Sequence, residues 1–260
     1  MEDKVLPDGK LDCCGNAEKS LADQALDAGA RWMDNNIQVT SNPGMGGSHL
    51  FYYLYGLERA GKFGGRRFYG DTDWFREGAR ALTAPHVQSQ VNFSWEGGNL
   101  ISTSMALLFL SKGLSPVLVN KLEYGTRGPN GRVVSENWNR HRRDISNLVD
   151  YISLQDQWPH YLSWQTLDLQ VAVKREGVAA LQQAPVAYLS GDQNLDAISE
   201  AEVTLLRDYI TQGGFLFAVQ NCDSPEFDQG FRTLVTRMFP NGDYQLRKLE
   251  ATHDIFRSET

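Results

Sequence analysis

The chain reads as an α/β protein, a doubly wound parallel sheet preceded by a smaller all-helical region. Three observations predict this. Two continuous apolar runs, PVAYLSG (185–191) and GGFLFAVQNCD (213–223), are joined by one amphipathic helix, the pattern of strand, crossover helix and parallel strand. Helical hairpins before Leu114 give way to short β-branched strands alternating with helices after it. Finally, 260 residues exceed one average domain, so two units are expected: helical hairpins over 20–113 and an α/β unit over 114–260, after a disordered or linker segment at 1–19.

The helical part carries an internal repeat. Leu26, Gly29, Ala30 and Met33 fall at helical spacing, and Phe75, Gly78, Ala79 and Leu82 repeat the pattern 49 residues later, with Gly-Ala-Arg at both 29–31 and 78–80. Each helix is followed by a Gly-Gly pair, Gly46-Gly47 or Gly97-Gly98, and by a second helix, HLFYYLYGL or ISTSMALLFL, that is apolar around most of its circumference. Small residues on the first helix would admit a close neighbour, and helices apolar all round belong inside. Two hairpins cannot bury such helices alone, so further repeats or a partner are expected to cover them. The segment 44–49, Gly-Met-Gly-Gly-Ser-His, lacks the Lys-Ser/Thr ending of a phosphate loop and reads as a tight turn between helices.

In the α/β part, SPVLVNKLEYG (115–125) is β-branched and LSWQTLDL (162–169) alternates like a strand; 185–191 and 213–220 are apolar throughout, as doubly covered parallel strands are. Ile145, Leu148, Val149 and Ile152 make one helical stripe, and Phe231, Leu234, Val235, Met238 and Phe239 another, stopped by Pro240-Asn241-Gly242. Ser199 with Glu202 predicts a capping box, and Gly213-Gly214 the end of that helix. YQLRKLE (244–250) is expected as a fifth strand. Right-handed crossovers then give the strand order 2-1-3-4-5, with the switch point between the first and third strands and an edge open to continuation at the C-terminal end.

A net charge of −7 argues against nucleic acid, whose phosphates require a cationic face. The run around Met105–Leu110 falls well short of the roughly 20 apolar residues that span a bilayer. The acidic first residues lack the apolar centre of a signal peptide, which leaves the location of the protein open. Three cysteines, Cys13 and Cys14 adjacent and Cys222 far away, form no disulfide framework and no CxxC or HxxxH zinc pattern, which favours a reducing compartment. No cofactor and no metal site is expected.

Two family resemblances follow from these motifs. The repeated hairpins, with SWEGG at 94–98 before an inner helix, resemble the end of the α/α toroid of terpenoid cyclases and protein prenyltransferases, where Gln, Gly and Trp tie hairpins together; Gln90, Trp95 and Gly97 approximate that pattern. Neither a DxDD motif nor the prenyltransferase zinc ligands are present, so their chemistry is not implied. From about Ser115 onward, PVLVNKL, WNRHRRDISNLVDYIS, APVAYLSG, LRDYITQGGFLFA and FDQGFRTLVTRMFP resemble a bacterial family catalogued only as a domain of unknown function, number 4159. That resemblance implies a flavodoxin-like sheet related to class I glutamine amidotransferases and to trehalose-utilisation-type proteins, and no established activity.

Ligands of such sheets gather at the carboxyl ends of the strands, which directs attention to the loops opening at Gly191 and Asn221. In an amidotransferase-like fold Cys222 stands where a nucleophile elbow holds its cysteine, with Ser190-Gly191-Asp192 alongside as an oxyanion-binding turn. Gln220 and Ser224 occupy the positions where an elbow has small residues, and no His-x-Glu base follows. The loop after the first strand carries Tyr124, Arg127, Trp138, Asn139, Arg142, Arg143 and Asp144. These could clamp a carboxylate, phosphate or sugar, or form an Arg-Asp network that anchors the loop over Trp138. Asp192 and Asp223 could hold a cation, or Asp223 could cap the next helix. The expected reading is therefore a non-catalytic binding or assembly protein whose edge residues Tyr124, Trp138, Arg143, Gly191, Asp192, Asn221 and Asp223 meet a small polar ligand or peptide; the alternative is a hydrolase using Cys222.

Overall fold

A computed structural model describes residues 4–5, 11–12 and 21–256, except 86, 88, 90, 91, 113, 114, 130, 136 and 243. Most of the segment 1–19, Cys13 and Cys14 included, and the tie expected through Gln90 lie outside the described residues; within that segment Lys4–Val5 pairs antiparallel with Leu11–Asp12.

Helix α1 spans Leu21–Asn36, α2 Leu50–Phe63, α3 Trp74–Leu82 and α4 Leu100–Ser111. Phe51, Leu54, Leu57, Tyr69, Trp74, Leu82, Trp95, Ala106 and Phe109 form their core. Trp74 is its centre: the ring meets Phe75 and Phe109 edge to face at 5.9 and 5.8 Å, and Nε1 donates to the Arg66 carbonyl at 2.6 Å. Close approach depends on two glycines. A Cβ at Gly61 would lie 2.4 Å from the Trp74 ring, and one at Gly78 2.5 Å from the Phe109 ring. The equivalent Gly29 of α1 faces open space, and α1 has no buried residue. The sequence repeat is thus packed unequally. The second helix of each hairpin is also less enclosed than its composition suggests: Tyr52 on α2 and Leu100, Ile101, Leu107 and Leu108 on α4 are exposed, because each helix packs along only one side.

The main sheet has four parallel strands: β1 Val117–Glu123, β2 Ser163–Asp168, β3 Val186–Gly191 and β4 Phe215–Gln220, hydrogen-bonded in the order β2-β1-β3-β4. Residues 244–250, expected as a fifth strand, form no strand among the described residues. Helix α5 (Asp144–Ser153) covers one face of the sheet through Leu118, Val119, Ile145, Val149 and Tyr188. The other face carries α6 (Leu169–Arg175), α7 (Val178–Leu181), α8 (Glu200–Thr211) and α9 (Pro225–Met238) over Leu122, Leu167, Ala187 and Leu189. Beyond α5 the first face stays open, which leaves Phe215 and Phe217 of β4 about half exposed.

Local signals set these boundaries. The Ser199–Glu202 capping box is present, with Glu202 Oε2 accepting the Ser199 amide at 2.7 Å. Helix α9 is capped by Ser224 and not by Asp223, because Pro225 occupies its first turn and Ser224 Oγ accepts the Phe227 amide at 3.3 Å. The polar pair inside β1 is fully engaged. Asn120 donates to the Leu181 carbonyl at 2.8 Å, and Lys121 Nζ reaches Asp144 Oδ1 at 2.6 Å and the His141 carbonyl at 2.7 Å.

The two regions share a seam. Residues 65–66 run beside the free edge of β2, where the Thr166 amide donates to the Gly65 carbonyl and the Trp164 ring lies against Gly65. Arg67, buried, bridges Asp73 Oδ2 (3.2 Å), Glu176 Oε2 (2.8 Å) and the Ala180 carbonyl (2.8 Å).

Candidate functional site

The crevice predicted at the switch point is closed by its own loops. Tyr124, fully buried, donates its hydroxyl to the Ser190 carbonyl at 2.8 Å and receives Asn137 Nδ2 at 3.1 Å. Asn137 Oδ1 takes the amides of Asp192 (2.7 Å) and Gln193 (3.2 Å), so one buried asparagine ties the loop after β1 to the turn after β3. Gly191 fits only because it lacks a Cβ, which would stand 2.5 Å from the Tyr124 hydroxyl and 2.8 Å from Asn137. Burial and the nearby Asp192 push the Tyr124 hydroxyl well above the usual tyrosine range. Tyr124 is a structural plug in this geometry. Trp138 packs beneath it, its carbonyl accepting Ser190 Oγ at 3.3 Å, while Arg143 is exposed ahead of α5.

The turn after β4 is equally closed. Asn221 is buried and donates its backbone amide to the Gly191 carbonyl at 2.8 Å, but among the described residues its side-chain Nδ2 has no partner; nor does Asp192 Oδ1, whose other oxygen faces Arg140 Nε at 3.3 Å. Cys222 and Asp223 both have left-handed backbone (φ 58° and 51°), bridged by a 3.3 Å bond from the Ser224 amide to the Asn221 carbonyl. Asp223 is exposed. Cys222 has the positive φ of an elbow, but its sulfur is in a disulfide whose partner lies outside the described residues. A disulfide sulfur is no thiolate, which weighs against the nucleophile expected at Cys222, while a single bridge is still no disulfide framework. Three cysteines without regular spacing concealed it, since one bridge needs only two residues at any separation. Among the described residues, no three His, Cys, Asp or Glu side chains converge as a metal site.

The open concavity lies on the other side of β1. A cleft of about 710 Å³ sits at the carboxyl ends of β1 and β2, between α1, residues 66–71, the loop 131–142 and α6. Its floor is a carboxylate pair. Glu123 and Asp168 end their strands as register partners. Asp168 is spoken for: it accepts Arg127 in bidentate fashion at 2.7 and 2.8 Å, and it caps α6 through the amides of Gln170 (2.8 Å) and Val171 (3.0 Å). Among the described residues the Glu123 side chain accepts no hydrogen bond; loss of hydration, followed by repulsion from Asp168, pushes its carboxyl up to about 7, against the pull of Arg66 and Arg127. Around the pair stand Asp34, Asp71, Arg31, Arg66 and Lys174, with Trp138 and Phe68 as apolar wall.

Ion pairs hold α1 over this cleft. Arg142 grips Asp27 in bidentate fashion at 3.0 Å, and Arg132 reaches Asp34 at 3.1 Å and Asn35 at 3.0 Å. With Arg127–Asp168 and Arg140–Asp192, the arginines of the long loop form the anchoring network that was one of the two sequence readings, with Trp138 beneath it. Sequence reasoning missed Glu123, Asp168, Asp34 and Asn137. The available signal was the acid that follows Leu at the carboxyl end of each of the first two strands, Leu122-Glu123 and Leu167-Asp168.

Among the described residues no helix is long and apolar enough to cross a membrane. No curated protein matches the sequence. The family model described as Domain of unknown function (DUF4159) matches residues 119–259, more than half of the chain, including all but the first two residues of the main sheet, both carboxyl-edge loops and the carboxylate floor of the cleft. The chain therefore belongs to the DUF4159 family.

Proposed function

We propose that this protein binds a small polar ligand, without transforming it, in the cleft at the carboxyl ends of β1 and β2. The cleft carries the reading: about 710 Å³ is the size of a small-molecule site, and both charge signs converge on it beside an apolar wall. Glu123 gives it a proton-exchanging group near neutral pH. The site keeps to the carboxyl edge but moves from the Gly191 and Asn221 turns, which Tyr124 and Asn137 fill. The disulfide at Cys222 favours binding over an amidotransferase-like hydrolysis. The strand order β2-β1-β3-β4 supports a flavodoxin-like kinship for the sheet. The packing of α2, α3 and α4, with an apolar outer face on α4, supports a toroid-derived origin for the helices and a covering partner.

A thermal-shift screen of amino acids, monosaccharides, nucleotides and small carboxylates on the full chain tests the reading, followed by calorimetry on any hit. Glu123→Gln is expected to change the affinity of a hit about tenfold, whereas Asn221→Ala changes it little. A panel without hits, or a hit sensitive to Asn221 and indifferent to Glu123, overturns the assignment.

A further inference from the structure

A second concavity, of about 550 Å³, lies at the seam between the helical region and the amino-terminal edge of the sheet. Its walls are α3, Lys112 at the end of α4, residues 115–117 before and within β1, Gln165 and Gln183. Its charge runs against that of the chain: in a protein of net charge −7, the walls carry Arg66, Arg67, Arg76, Arg80 and Lys112 against Asp73.

The seam's carboxylates are already committed. Asp73 Oδ2 and Glu176 Oε2 are held by Arg67, Asp73 Oδ1 accepts the Arg76 amide at 3.0 Å, and Glu176 Oε1 accepts Arg76 Nη1 at 2.5 Å. Arg80, exposed on α3, and Lys112, partly buried, have no side-chain hydrogen bond or ion pair among the described residues. Lys112 Nζ sits instead 5.0 Å from the Phe75 ring centroid and 5.9 Å from that of Trp74. Lost hydration holds its ammonium below the usual lysine range; Asp73 and Glu58 oppose this, while Arg67 and Lys62 reinforce it. An ammonium that has given up water without gaining a counter-charge, beside a second unpaired cation and an arginine fixed in place, is arranged to receive an anion.

We propose that this cleft is a second ligand site, distinct from the one floored by Glu123, which takes a small multiply charged anion of phosphate or carboxylate chemistry between Arg80 and Lys112. The aromatic walls, Phe75 and the edge of Trp74, suit a ligand that carries a flat or apolar portion beside its charges.

Isothermal titration of the full chain with pyrophosphate, and separately with citrate, at matched ionic strength reads the proposal. Saturable one-to-one binding of either anion is expected, and a preference for one assigns the phosphate or the carboxylate class. Arg80→Ala/Lys112→Met should weaken it by about tenfold or more, while a control that removes two cations elsewhere, Arg207→Ala/Arg232→Ala, should change it less than about twofold. Far-UV circular dichroism confirms folding; Arg80→Ala alone, at an exposed position, must still weaken binding by about threefold if the double variant is unstable. Absence of binding to both anions at millimolar concentration, or equal weakening in the control, overturns the proposal.

Discussion

Glu123 is a carboxylate whose environment departs far from that of a solvated side chain of its kind. Unfolded, its carboxyl titrates near 4.5; folded, it holds its proton up to about 7. Between those values the native state binds more protons than the unfolded chain, so its contribution to stability is complete below about pH 4.5 and is lost as pH rises through 7. Glu123→Gln should therefore match the wild-type urea midpoint near pH 4.5 and exceed it at pH 8; identical pH profiles for the two proteins would show that Glu123 is not desolvated. Sequence could not mark this residue, since a Glu at the end of a strand is solvated or buried according to what folds over it. Tyr124, Trp138, Gly191 and Asn221 were legible as carboxyl-edge residues from their place after apolar strands. That they close the edge and do not open it depends on Asn137, which lies 55 residues from Asp192 along the chain but whose Oδ1 is 2.7 Å from the Asp192 amide in space.

Among the elements, α1 is the least secured. It buries no residue, Leu21, Leu26 and Trp32 are exposed, and only Met33 and the following Ile37 touch the helical core. Its attachment over the cleft includes the ion pairs Asp27–Arg142 and Asp34–Arg132, the Gly70 amide donated to Asp34 Oδ1 at 2.9 Å and Arg132 donating to Asn35 Oδ1. Such pairs are screened when the Debye length falls from about 10 Å at 0.1 M salt to about 3 Å at 1 M. Amide hydrogen exchange over 21–36 should therefore accelerate several-fold in 1 M sodium chloride, with α8, which buries Val203, Leu206 and Tyr209, unchanged. Protection of α1 equal to that of α8 at both salt concentrations would mean that apolar packing holds it. The repeat in sequence made α1 look equivalent to α3. Periodicity records which side of a helix is small or apolar, but not whether a neighbour arrives, and Phe109 reaches Gly78 while nothing reaches Gly29.

For the molecule as a whole, Arg67 is the principal polar link across the seam. Its side chain is only 3% exposed, and it joins Asp73 on the helical side to Glu176 and Ala180 on the other. Arg67→Met would leave Asp73 without its ion-pair partner and Glu176 with Arg76 alone, and a loss of about 3 kcal/mol is expected in urea unfolding followed by circular dichroism. A change below about 1 kcal/mol would place the pair with ordinary surface ion pairs and leave the seam to Trp164, Gly65 and the strand-edge contact. A change of texture near Leu114 is visible in the sequence, but the seam is not, because Gly65-Arg66-Arg67 reads in isolation as a connecting turn with solvated charges.

What the sequence by itself determined is local: four strands, the helices between them and the Ser199–Glu202 cap, each written in periodicity or capping chemistry over a few adjacent residues. Tertiary structure alone decided which carboxyl-edge loops close and which remain open, that Glu123 loses its water beside Asp168, that Cys222 is oxidised, and that five cations gather at the seam of an acidic chain. Those outcomes depend on groups far apart in the chain, and desolvation and charge pairing act through distance in space, which no spacing along the sequence encodes.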